Sequence, residues 1–137
     1  YELEQAGERT GIIELPVEKA LAGRLRPYGI HHCGDNMHRM AAAYAELEPA
    51  FCDVGWGSDV AACRRALPDT FLNLRLSPIR MLQCTPKEMA ADAESLLLAA
   101  GPLDKVGLCC INMDHGTPDD NLFAVGEVMA RYRGYGA

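Results

Sequence analysis

The chain reads as an α/β protein of about four βα units, half of a (β/α)8 TIM barrel. Three observations predict this. Short extended runs alternate four times with segments of helical apolar periodicity across 137 residues. The connections are short, and a strand–helix–strand series of that kind implies parallel pairing with right-handed crossovers. Four such units leave two raw sheet edges if they stand alone, so a second half or a second copy is expected. An open doubly wound sheet is the alternative architecture.

Residues 1–26 read as an N-terminal helical lead-in, with Pro16 a first-turn residue for a helix over 17–25. Residues 27–137 carry the four βα units. A short extended run over 28–33 opens them, and Asp35 is placed to cap the helix of Met37, Met40, Ala41, Tyr44 and Leu47. Residues 51–55 form a short buried-strand candidate. Ser58 then caps a helix with Val60, Cys63, Ala66 and Leu67 inward, stopped by Pro68. Leu72, Leu74 and Leu76 alternate along a third strand, which leaves Arg75 either facing away from the core or binding an anion.

Thr85-Pro86-Lys87-Glu88 combines a capping hydroxyl, a first-turn proline and a Glu three residues after the cap. Its helix carries Met89, Ala93, Leu96, Leu97 and Ala100 and ends at Gly101. Residues 106–111 are the fourth strand. Thr117-Pro118-Asp119-Asp120 repeats the start signal for a last helix through Leu122, Val125, Met129 and Tyr132, with Arg131 and Arg133 suited to its C-terminal end.

Composition narrows the function classes. A hydrophobic content of 49% with 23% charged residues fits a globular protein with one modest core. The net charge of −6 argues against nucleic-acid binding, which needs clustered Lys and Arg. The longest apolar run, Leu96-Leu97-Leu98-Ala99-Ala100, is far short of a membrane span, and no signal peptide is evident. Tyr1 in place of Met points to part of a longer or processed chain. The six cysteines lie inside regular elements rather than in a loop-rich scaffold, so they are expected to be reduced and the setting cytoplasmic.

The chemistry-bearing feature is His31-x-Cys33, followed by Gly34. Residues two apart on a strand share a side, so an imidazole and a thiolate can face one metal ion, and both are good zinc ligands. A further thiol lies downstream in Cys109-Cys110. His32 faces the other way and is expected to pack or to support the site from behind. Trp56, Asp59, Asp114 and His115 follow strand ends and are candidate substrate contacts, Asp59 being equally a first-turn helix residue and Asp114-His115 equally a solvated loop.

The order of these pieces resembles the C-terminal part of the uroporphyrinogen decarboxylase superfamily, and within it the corrinoid-dependent zinc methyltransferases. The carriers are Leu15-Pro16, Pro27-Tyr28-Gly29-Ile30-His31-His32-Cys33-Gly34, Trp56 with Asp59, and Arg64 with Leu67-Pro68. Leu76-Ser77-Pro78, Thr85-Pro86-Lys87-Glu88, and Cys110 with Thr117-Pro118 and Asn121 continue the series. The resemblance implies the C-terminal half of a (β/α)8 barrel, zinc held by His31, Cys33 and Cys110, and a methylcorrinoid carried by a partner protein. It also implies a small thiol or similar methyl acceptor, and a homodimer or a missing N-terminal half to complete the barrel. Tetrapyrrole decarboxylation and a non-catalytic half-barrel binding module are the alternatives. Leu74-Arg75-Leu76-Ser77-Pro78 departs from the Gly-Asn-Leu-Asp-Pro-like strand end of the decarboxylases.

Overall fold

The computed structural model describes residues 28–132. The helical lead-in at 1–26, with Leu15-Pro16, and the positions of Pro27 and Arg133 lie outside the described residues. Four strands, β1 (Gly29–His31), β2 (Phe51–Val54), β3 (Phe71–Arg75) and β4 (Val106–Cys109), pair in parallel in that order. They alternate with helices α1 (Met37–Ala45), α2 (Val60–Ala66), α3 (Pro78–Gln83), α4 (Pro86–Ala100) and α5 (Asp119–Tyr132). A 3₁₀ turn, Leu103–Lys105, leads into β4. No helix among the described residues is long and apolar enough to cross a membrane.

The pleat sorts every strand residue to one of two faces. Ile30, Cys52, Val54, Leu72, Leu74 and Val106 join the buried core with Met37 and Ala41 of α1, Cys63 of α2, Met89, Ala93 and Leu97 of α4 and Val128 of α5. Each fully buried Leu or Met there contributes about 2 kcal/mol. The alternate residues fall on the opposite face: Gly29 and His31, Phe51 and Asp53, Phe71, Asn73 and Arg75, Gly107 and Cys109. Phe51 and Phe71 stack there with ring centroids 6.1 Å apart and planes 10° apart, and Phe51 remains 37% exposed.

Several local expectations are revised. A short helix, α3, precedes α4; Ser77 accepts from the Arg80 amide and Pro78 takes the first turn, the same start signal as Thr85-Pro86. The N-cap of α1 is Asn36 rather than Asp35, without a side-chain cap, and the Met37 amide donates to Ser58 Oγ at 3.2 Å. That leaves Asp59 to cap α2, its Oδ1 accepting from Ala62 at 2.8 Å. The buried Thr117 hydroxyl has no hydrogen-bond partner among the described residues, so it does not cap α5. By contrast, Thr85 and Glu88 form the expected reciprocal capping box.

Buried Arg64 ties the lower ends of these elements together. Its Nε donates to Ala100 O at 2.6 Å, closing the end of α4. Nη1 reaches the carbonyls of Leu67 (2.8 Å), Pro68 (3.2 Å) and Thr70 (2.8 Å), and Nη2 that of Lys105 at 2.9 Å. One side chain therefore satisfies carbonyls at the end of two helices and at the start of β3 and β4, a task that needs the planar fork of arginine. Burial pulls its pKa down, with Asp104 and Asp69 opposing. At the other side of the core, Asn121 of α5 donates to Met81 O and Cys84 O, each at 2.8 Å, fastening α5 to the end of α3.

Arg64→Met leaves these carbonyls without a donor and is expected to cost about 3 kcal/mol or more in urea unfolding. Arg64→Lys, a point charge, recovers only part of that loss. A cost below about 1 kcal/mol for Arg64→Met contradicts the hub assignment.

Candidate functional site

The sheet register places His31, Asp53, Asn73 and Gly107 in one row across β1–β4, on the face away from the helices. Three of these side chains form a hydrogen-bonded line. His31 Nδ1 lies 2.5 Å from Asp53 Oδ2, and because an ionised carboxylate can only accept, Nδ1 carries the hydrogen. Asp53 Oδ1 accepts from Asn73 Nδ2 at 2.9 Å, which fixes the carboxylate from the next strand. Nε2 of His31 is then the acceptor, and Cys33 Sγ stands 2.7 Å from it. The site is a thiol, an imidazole, a carboxylate and an amide in sequence, with the His31 and Cys33 end open to solvent.

A close backbone approach sets Cys33 over the row. A Cβ built on Gly55 would lie 1.8 Å from the Gly34 carbonyl oxygen and 2.9 Å from that of His32, so the segment after β1 crosses directly against Gly55. Only glycine allows that crossing. Gly57 then turns the chain with φ +88° beside Asp35. Behind the motif His32 is held from both sides: Nδ1 accepts from Tyr44 Oη at 2.9 Å and Nε2 donates to Asn36 Oδ1 at 3.0 Å. Burial raises the Tyr44 pKa, which keeps that hydroxyl protonated as a donor.

His31 and Cys33 are thus brought together. Cys110 lies elsewhere: it packs, half-buried, against the core cluster, and burial followed by neighbouring Cys109 raises its pKa. The pairing of Arg75 with Cys109 puts Cys109 on the face of His31 and Asp53, and alternation sends Cys110 to the helix side with Val106 and Leu108. Cys109 is therefore on the open face, and Cys110, the donor that the resemblance implies, is on the helix side. Among the described residues no three His, Cys, Asp or Glu side chains are placed to hold a metal ion.

Trp56 lines a cavity of about 260 Å³ above β2 and β3, together with Arg75, Ser77 and Arg80. The carboxylate of Asp59 is engaged as the α2 cap, and its amide donates to His38 Nδ1 at 3.2 Å. Asp114 and His115 form an exposed loop pair, 3.1 Å apart, in which Asp114 Oδ1 also accepts from the Gly116 amide at 2.8 Å. Neither lines the cavity.

Asp53, Asn73 and Gly55 escaped the sequence reading. The signal was present: Asp53 and Asn73 are polar residues at off-core positions, flanked on both sides by apolar strand neighbours. No family model, curated protein or solved structure matches the chain.

The six thiols differ sharply in availability. Burial raises the Cys52 pKa to about 12, assisted by Cys63, and that of Cys63 to about 11, assisted by Asp59. Both stay protonated and inert at pH 8, whereas Cys33 is exposed. Peptide mapping after brief iodoacetamide treatment of the native protein is expected to find Cys33 labelled at least tenfold ahead of Cys52 and Cys63. Gly55→Ala forces the 32–34 segment off the sheet and should change the Cys33 labelling rate; an unchanged rate in a folded variant contradicts the crossing.

Proposed function

We propose that the chain is the C-terminal half of a (β/α)8 barrel that takes part in zinc-dependent methyl transfer from a methylated corrinoid protein to a thiol or similar acceptor. The observation that carries this reading is the line of Cys33, His31 and Asp53 at the C-terminal ends of parallel strands, where open and closed α/β folds place their sites. A metal-binding histidine commonly gives its second nitrogen to a carboxylate, which is the relation of His31 to Asp53.

His31 and Cys33 fit zinc in kind, one nitrogen and one sulfur, and they are the residues that would hold it. Zinc bound there would bring an acceptor thiol to its thiolate near neutral pH and fix its sulfur toward the methyl donor. Asp53 keeps the imidazole in the tautomer whose Nε2 carries no hydrogen, and Asn73 holds Asp53. Methyl transfer to a thiolate needs no general acid, in keeping with a site whose only carboxylate serves the imidazole. Trp56 lines the cavity that also includes Gly55, against which the 32–34 segment crosses.

The resemblance assigns the third donor to Cys110, whereas the shared sheet face favours Cys109. On a flat sheet β4 stands three strand spacings from β1, about 14 Å. Barrel curvature or a second copy must supply the remaining approach. The open face with Phe51 and Phe71 is the surface that a second half or copy would cover.

One specific observation favours a second reading. Cys33, His31 and Asp53 also have the order of nucleophile, base and orienting acid. Cys33 would then accept a transferred group directly, without metal.

Metal analysis separates the two. Zinc-loaded, dialysed protein is expected to retain about one zinc per chain, His31→Ala and Cys33→Ser to lose it, and Cys109→Ser to lose more than Cys110→Ser. Protein that stays metal-free while Cys33 remains the fast thiol supports the second reading and removes the first. Sedimentation at micromolar concentration is expected to show a dimer; a stable folded monomer contradicts the need for a covering partner.

A further inference from the structure

Arg75 closes β3 and is only 4% exposed, yet its Nε and Nη1 are buried with no hydrogen-bond partner among the described residues. A guanidinium cannot escape burial by losing its proton, so it stays charged and its donors stay unsatisfied. Buried charges in folded proteins are otherwise paired. Arg64 shows the ordinary outcome in this same fold, with its nitrogens on main-chain carbonyls. Arg75 has no such set.

The surroundings indicate what is missing. Arg75 lines the cavity of about 260 Å³ at the C-terminal ends of β2 and β3. The other cation there, Arg80, is already bound through two nitrogens to Asp92, so the one acidic side chain of the lining is neutralised. Ser58 and Ser77 use their oxygens to accept from Met37 and Arg80 amides, which leaves their O–H groups to donate. The lining joins Arg75, the residue with unpaired guanidinium nitrogens, to hydroxyl donors and holds no free carboxylate, the composition of an oxyanion site.

We propose that Arg75 binds the carboxylate or phosphate group of a small-molecule ligand that occupies this cavity. The site stands independently of whether zinc binds at His31 and Cys33.

Trp56, the only tryptophan of the chain, lines the same cavity and reports its occupancy. Its fluorescence is titrated with succinate and, separately, inorganic phosphate, at ionic strength held constant with sodium chloride and without zinc. A saturable change with at least one of them is expected, and the more effective probe identifies the anion class. Arg75→Lys should weaken it at least tenfold and Arg75→Met should abolish it. Lys105→Gln, at the opposite end of the sheet and paired with Asp69, should leave it unchanged. No saturable response to either anion, or an equal response in Arg75→Lys, overturns the proposal; Arg75→Lys keeps the cation, so the comparison survives if Arg75→Met fails to fold.

Discussion

The two-residue period of a parallel sheet is the constraint on which core and site both depend. It sends Ile30, Cys52, Leu72 and Val106 into the helices, and by the same step it aligns His31, Asp53 and Asn73 on the other face. A slip of one residue in β2 would bury Asp53 without a partner and expose Cys52 and Val54. Burial of the apolar set therefore fixes the register that the polar line requires. The site is stabilised by residues that never touch it.

The two ends of the sheet divide the work. At the N-terminal end of β3 and β4, Arg64 gathers carbonyls from the ends of α2 and α4 and the starts of those strands. At the C-terminal end the chain spends stability instead of gaining it. Gly55 gives up a side chain so that Gly34 can cross, Arg75 is buried with two nitrogens unpartnered among the described residues, and Cys33 and His31 face solvent. Local conflict of this kind collects where a protein binds or reacts.

Alternating strands and helices, and the capping box at Thr85, were legible because periodicity and capping depend on neighbours in sequence. His31 and Cys33 were legible for the same reason. Asp53 and Asn73 were not, because their meaning lies in a pairing between strands about twenty residues apart. The cap assignments failed where a rival was adjacent: Asp59 took the role read for Ser58, and Ser58 was drawn across to the Met37 amide. Cys109 and Cys110 are neighbours of equal chemistry, and only their pairing to β3 tells which face each takes. Arg75 stood out in sequence as a charge in a leucine-alternating strand; its lack of a partner is visible only in three dimensions.

The zinc reading proposed above requires His31 and Cys33 to act together as one ligand pair on the open face. X-ray absorption at the zinc edge of the loaded protein tests it most directly. A mixed shell is expected, with sulfur near ~2.3 Å and imidazole nitrogen near ~2.0–2.1 Å, the sulfur contribution falling in Cys33→Ser and the nitrogen contribution in His31→Ala. A shell of light atoms alone, or one unchanged by both substitutions, contradicts it.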